Sequence, residues 1–132
     1  MEVDVAEPVY VIEGFHRWMR KQVLRDLDLC RAVAEMTRGL IDADLGSGLL
    51  KKRIARSGAG KSRGYRAVVA NRRDRPWFFV QGYAKSERDS VDGMALALCR
   101  VHAASLLSMS ATDISEALSN GELKEVKCDA KA

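Results

Sequence analysis

Between residues 49 and 88 three strand-like runs follow one another, and this same stretch carries twelve of the chain's 22 lysines and arginines against two acids, Asp74 and Glu87. Residues 49–56 form the first run, the valine-rich 65–71 the second, and the aromatic, β-branched 77–83 the third. Residues 58–64 separate the first two. Residues 72–76 separate the last two as a hairpin turn, with Pro76 at a strand start where a missing N–H does no harm. Hairpin links make neighbouring strands antiparallel, so a chain with this centre is committed to an antiparallel sheet. The stretch has a net charge of +10, while the rest, with ten cations and sixteen acids, has −6. The positive charge therefore lies on a pleated surface, and so concentrated a field attracts a polyanion, of which nucleic acid is the common one.

The flanks supply helices. Val9-Tyr10-Val11-Ile12 is an apolar run suited to a first strand. Phe15, Trp18, Met19, Gln22 and Val23 recur at helical spacing, as do Leu29, Cys30, Val33, Ala34 and Met36, with Gly39 as a stop. The short link at 26–28 predicts that these two helices pair as an antiparallel hairpin. Residues 41–48 read as a turn-rich crossing. Val91, Met94, Ala95, Leu98, Val101, His102, Ser105 and Leu106 mark a long amphipathic helix. Ser110 and Asp113 form a capping-box pattern for a short last helix carrying Ile114, Ala117 and Leu118, and residues 122–126 suit a final strand. The predicted class is α+β: a small antiparallel sheet of three to five strands, with two N-terminal helices and the C-terminal helices packed on it. With 132 residues there is room for one core, a single domain over 9–127 between a loose acidic leader (1–8) and a polar tail (128–132).

Several function classes drop out. No apolar run approaches the roughly 20 residues that span a bilayer, and the start is acidic where a signal peptide is basic, so a cytoplasmic location without membrane contact is expected. Cys30, Cys99 and Cys128 are odd in number and far apart, which argues against a disulfide framework and against a zinc site; Cys30 and Cys99 read as core residues and Cys128 as exposed. Gly58-Ala59-Gly60-Lys61-Ser62 imitates a phosphate loop, but Ala55 stands where the signature needs glycine and a strand follows where it needs a helix. A Gly-rich basic hairpin loop is the better account.

Alternation along a strand puts Lys51 and Arg53 on one face and Lys52 with Ile54 on the other, while Arg66 shares a face with Val68. On the third run Phe79, Gln81 and Tyr83 alternate with Phe78, Val80 and Gly82, and Lys85 and Arg88 follow at the exit. If Lys51, Arg53 and Arg66 face one way, cations and a tyrosine ring converge, a combination suited to RNA: charge for phosphate, a ring for stacking. His16 and His102, the only histidines, fall on helices away from these strands and read as structural.

Three motifs in this order resemble the RelE/ParE superfamily of toxins from type II toxin–antitoxin modules, in particular its HigB-like branch: Lys51-Lys52-Arg53-Ile54, Gly60-Lys61-Ser62-Arg63-Gly64-Tyr65-Arg66, and Phe79-Val80-Gln81-Gly82-Tyr83-Ala84-Lys85-Ser86-Glu87-Arg88. The 39–46 segment leading into the first is similar too. The resemblance implies a metal-independent and cofactor-independent ribonuclease acting on mRNA at the ribosome, with a cognate antitoxin, often of helix-turn-helix type, as partner. It implies that Lys51 and Arg53 are the basic pair of the first sheet strand, that Arg66 holds the scissile phosphate, and that Lys85 is the basic residue after the last central strand. Ser86 and Asp92 depart from the pattern, standing where a second arginine and a tyrosine are often found; Tyr83 or Lys85 is left for proton transfer. Lys52, Lys61, Arg63 and Arg88 are expected to contact RNA. Two other readings stay open: a ParE-like inhibitor of a protein target such as DNA gyrase, and a degenerate toxin that binds RNA or antitoxin without cutting.

Overall fold

The computed structural model describes residues 5–56, 60–84 and 93–128, the side chains of 56 and 60–63 excepted. In chain order they form β1 (Val9–Ile12), α1 (Glu13–Arg20), α2 (Asp26–Thr37), β2 (Ala43–Gly46), β3 (Leu49–Arg56), β4 (Gly60–Ala70), β5 (Trp77–Ala84), α3 (Gly93–Leu107), α4 (Ala111–Ser119) and β6 (Leu123–Val126). The six strands make one sheet in the order β2-β3-β4-β5-β1-β6. The α+β class stands, but the sheet is larger than expected and mixed: β1 runs parallel to β5, with Val9 opposite Trp77, while the other pairs are antiparallel. The chain leaves β1 through α1 and α2 and builds three antiparallel strands before returning beside it, which is how a parallel neighbour arises. β2 was hidden in the turn-rich 41–48 segment. Its residues pair through their backbone with β3, and Gly46 and Gly48 both take positive φ in the connecting turn.

Both faces of the sheet are covered. On one, Phe15 and Met19 of α1 and Leu29, Val33 and Met36 of α2 bury Tyr65, Ala67, Val69 and Phe79. On the other, Cys99, Ala103, Leu106 and Leu107 of α3 and Ile114 of α4 bury Leu49, Val68, Ala70 and Phe78. Burial from two sides explains why β4 and β5 read as near-continuous apolar runs. The two N-terminal helices do not pair as a hairpin: α1 lies over β5 and α2 over β3, with the link at 21–25 rather than 26–28. α3 also presents a different face from the one predicted. Met94, Leu98 and Val101 are exposed, and of the predicted stripe Leu106 faces the sheet, together with Cys99, Ala103 and Leu107. The helix is apolar nearly all round, so periodicity could not choose between two equally regular stripes. The capping box of α4 is as expected, Ser110 Oγ accepting from Asp113 N at 3.1 Å and Asp113 Oδ2 from Ser110 N at 2.9 Å.

The cysteine expectation needs correction. Cys30 and Cys99 are buried, but Cys128 is half-buried and joined to Cys30 in a disulfide, with Cα atoms 5.4 Å apart across 98 residues of sequence. Spacing along the chain could not foresee it, because β6 alone carries Cys128 to α2. Val5 packs against the first core and the Pro8 carbonyl accepts the Trp77 N–H, so this part of the leader is held against the sheet. Among the described residues no single helix is long and apolar enough to cross a membrane.

Candidate functional site

Three strands bring the expected residues together. Arg53 on β3 lies directly opposite Arg66 on β4, and Arg66 lies opposite Tyr83 on β5. Paired residues project from the same face, so the three form a row across the strands, with Lys51 on that face one pleat further along β3. This is the α3 side of the sheet. The row depends on a β-bulge: Val69 pairs with Phe79 but Val68 pairs with Gln81, which leaves Val80 as an extra residue. The expected grouping of Phe79 with Gln81 and Tyr83 is thereby broken. Phe79 enters the core under α1 and α2, while Gln81 and Tyr83 turn to the other face, and without the bulge Tyr83 would stand on the far side of the sheet from Arg66.

Arg66 and Tyr83 are 5% and 2% exposed, whereas Arg53 is exposed and Lys51 half-buried. Two arginines face to face on adjacent strands repel, and a fold keeps such a pair only with compensation. Asp42, just before β2, supplies part of it. Its Oδ1 accepts from Arg53 Nε at 2.6 Å and its Oδ2 from the Arg53 backbone N–H at 2.5 Å. Partial burial pushes the Asp42 carboxyl up, but the two bonds from Arg53 and the charges of Arg53 and Lys52 outweigh it and hold the group below its ordinary 3.8. With Nε engaged, the outer guanidinium nitrogens of Arg53 make no bond among the described residues and remain the part that can meet a phosphate. Nothing in the sequence singled out Asp42; only the β2–β3 pairing brings it to Arg53.

The other expected residues distribute differently. Lys52 is not on an RNA surface. It points to the opposite face, 3% exposed, with Nζ 2.8 Å from Glu35 Oε1 of α2 and 2.8 Å from the Leu40 carbonyl. The alternation that placed it with Ile54 also carries it into the core. Lys61 and Arg63 belong to β4, which begins at Gly60 where a loop was expected, and their side chains lie outside the described residues. A strand over 60–70 also removes the helix that a phosphate loop would require. Lys85 and Arg88, with Ser86 and Asp92, lie outside the described residues. His16 sits on α1; burial first, then the nearby Lys124 and Arg20 charges, lower its pKa against the opposing pull of Asp26. His102 sits on α3 and, with Trp18, Gln81, Gly82, Leu98 and Cys99, lines a cavity of about 320 Å³ beside β5 where β1 has ended. Burial pushes the Cys99 thiol up. Among the described residues no three His, Cys, Asp or Glu side chains converge to hold a metal ion.

This arrangement can bind an anion along Lys51 and the outer nitrogens of Arg53, with the buried guanidinium of Arg66 next in the row. A family model described as the RelE toxin of the RelE/RelB toxin–antitoxin system matches residues 8–126. The chain belongs to the RelE toxin family. The match runs from the residue before β1 to the last residue of β6, so it takes in the whole described fold and the Arg53–Arg66–Tyr83 row. No curated protein matches the chain. Membership makes this RelE-family chain a toxin of a toxin–antitoxin system and implies an antitoxin as its partner.

Proposed function

We propose that this RelE-family toxin, of the HigB-like branch, is an endoribonuclease that cleaves mRNA on the ribosome in the cytoplasm without a metal ion. The row of Arg53, Arg66 and Tyr83 on one face, flanked by Lys51, supports this reading most directly. In the proposed reaction the RNA 2′-oxygen attacks the adjacent phosphorus and its proton passes to a base. The 5′-oxygen leaves with a proton from an acid, and the products end in a 2′,3′-cyclic phosphate and a 5′-hydroxyl. Arg66 and Arg53 stabilise the charge that builds on the non-bridging oxygens, the largest single effect in such chemistry. Lys51 extends the anion site, and Tyr83 and Lys85 are the candidates for proton transfer. A lysine base needs its pKa brought down from about 10.4, which neighbouring cations do. Lys61, Arg63 and Arg88 are placed on the RNA backbone; Lys52 is withdrawn from that set. The antitoxin, of helix-turn-helix type, covers the cationic face with an acidic segment.

The test is to induce the chain in a bacterial host and map mRNA 5′ ends. Codon-phased cuts are expected, reduced about 10²- to 10³-fold by Arg66→Ala, the usual cost of removing one charge-stabilising donor. The burial of Arg66 and Tyr83 favours a second reading, a family member that binds RNA or antitoxin without cutting. Intact mRNA with growth unaffected points to it, and intact mRNA with a blocked topoisomerase points to a ParE-like protein target.

A further inference from the structure

The turn between β4 and β5 carries a second concentration of cations at the end of the sheet away from the Arg53–Arg66–Tyr83 row. Arg72, Arg73 and Asp74 are exposed there, and neither Arg72 nor Arg73 bonds to an acceptor among the described residues. The turn is held from several sides. Asn71 N donates to the Gly48 carbonyl at 2.9 Å, Asn71 Nδ2 to the Arg75 carbonyl at 3.0 Å, and Arg75 N to the Arg72 carbonyl at 2.9 Å. The Arg75 guanidinium reaches the Met109 carbonyl in the link between α3 and α4. Arg75 is therefore an anchor, and Arg72 and Arg73 are what the anchored turn displays. Arginine forks match phosphate oxygens, and a turn fixed in advance loses little backbone entropy when they do so. A protein partner would want an apolar centre, yet Trp77, which follows the turn, is 6% exposed, and Leu107 beside Gly48 is 4% exposed. From Arg66 to Ala70 the strand advances four residues, about 14 Å at 3.4 Å per residue. The turn lies beyond that, so RNA held at Arg53 and Arg66 meets it only by running on past Lys51.

We propose that Arg72 and Arg73 form a second phosphate-backbone site, one that grips folded, double-helical RNA around the single strand held at Arg53 and Arg66. This rests on the RNA reading of the family fold, and it gives that reading a physical basis for preferring a large RNA–protein particle to free message.

The test uses the full chain, with binding rather than cleavage as the readout and 2′-O-methyl RNA as ligand, either a trinucleotide or a stem–loop. Arg72→Ala/Arg73→Ala should weaken the stem–loop roughly tenfold or more and flatten the plot of log K against log salt by about 1.8, two phosphate contacts at 0.9 each. Trinucleotide affinity and the melting temperature should not change. Arg72→Lys/Arg73→Lys should recover most of the salt slope, and Arg53→Ala should weaken both ligands. A double-alanine variant that binds the stem–loop as the parent does overturns the proposal, as does equal loss on both ligands, or loss confined to purified antitoxin. A parent chain that binds neither RNA overturns the proposal and the RNA reading together. A parent chain that binds both but never cuts message overturns only the nuclease.

Discussion

Lys52 and Glu35 show how one charge in a basic motif can serve the fold while its neighbours face the ligand. The lysine is almost wholly buried, and its ammonium is shared between the Glu35 carboxylate and the Leu40 carbonyl, which pins the end of α2 to β3. Lys52→Met should therefore cost about 3 kcal/mol in urea unfolding, the low end for a broken buried pair because Glu35 keeps a quarter of its surface in water. The variant should still bind a trinucleotide; loss of binding at unchanged stability would return Lys52 to the site. Asp42 makes a prediction in pH. Its folded pKa is depressed, so its bonds to Arg53 stabilise the protein above the ordinary carboxylate value of 3.8 and cease to do so as pH falls through the folded pKa. The stability gap between the parent and Asp42→Asn should be full at pH 6 and shrink towards pH 3; a gap independent of pH would mean that the charge of Asp42 contributes nothing. The faces of Lys51, Lys52 and Arg53 were legible from alternation alone. The acid that meets Arg53 was not, because it comes from a strand whose sequence looks like a turn.

The β5 strand decides what the site contains. Its bulge at Val80 turns Tyr83 towards Arg66, and its Gly82 leaves room for α1: a Cβ there would lie 2.3 Å from the Trp18 ring. Gly82→Ala should destabilise by about 1–3 kcal/mol, the range for overpacking, and Trp18→Leu should recover part of that in a double-mutant cycle. If the two losses simply add, the ring and the strand do not press on each other. A bulge leaves almost no mark in a run such as Trp77-Phe78-Phe79-Val80, where every residue is apolar and either register buries well. The same uniformity misdirected the choice of face on α3. Elements whose polar and apolar residues alternate clearly, such as β3 and α4, came through in sequence; those buried on both sides did so only as elements, without orientation.

For the molecule as a whole, the sheet order brings the first and last strands together, with β6 beside β1 and Cys128 bonded to Cys30 of α2. A cross-link that closes a loop of nearly 100 residues stabilises by about 4–5 kcal/mol through the unfolded state. Cys128→Ser should show that loss in denaturant, and reduction should bring the parent to the same value without affecting the variant; identical curves for oxidised parent and variant would mean that the bond contributes nothing. The segregation of charge that points to a polyanion was visible in sequence. Its division between a central row and an anchored turn was not, because that depends on which strand ends meet. The central proposal is that the row spanning β3, β4 and β5 promotes attack by a 2′-oxygen. The most direct test presents ribosome-bound message to the purified chain and determines the ends it leaves, with and without a 2′-deoxy substitution at the cut. Upstream fragments ending in a 2′,3′-cyclic phosphate, no cleavage at the deoxy position and loss of activity with Arg66→Ala are predicted. Cleavage of the deoxy message, or no cleavage of either, would contradict the account.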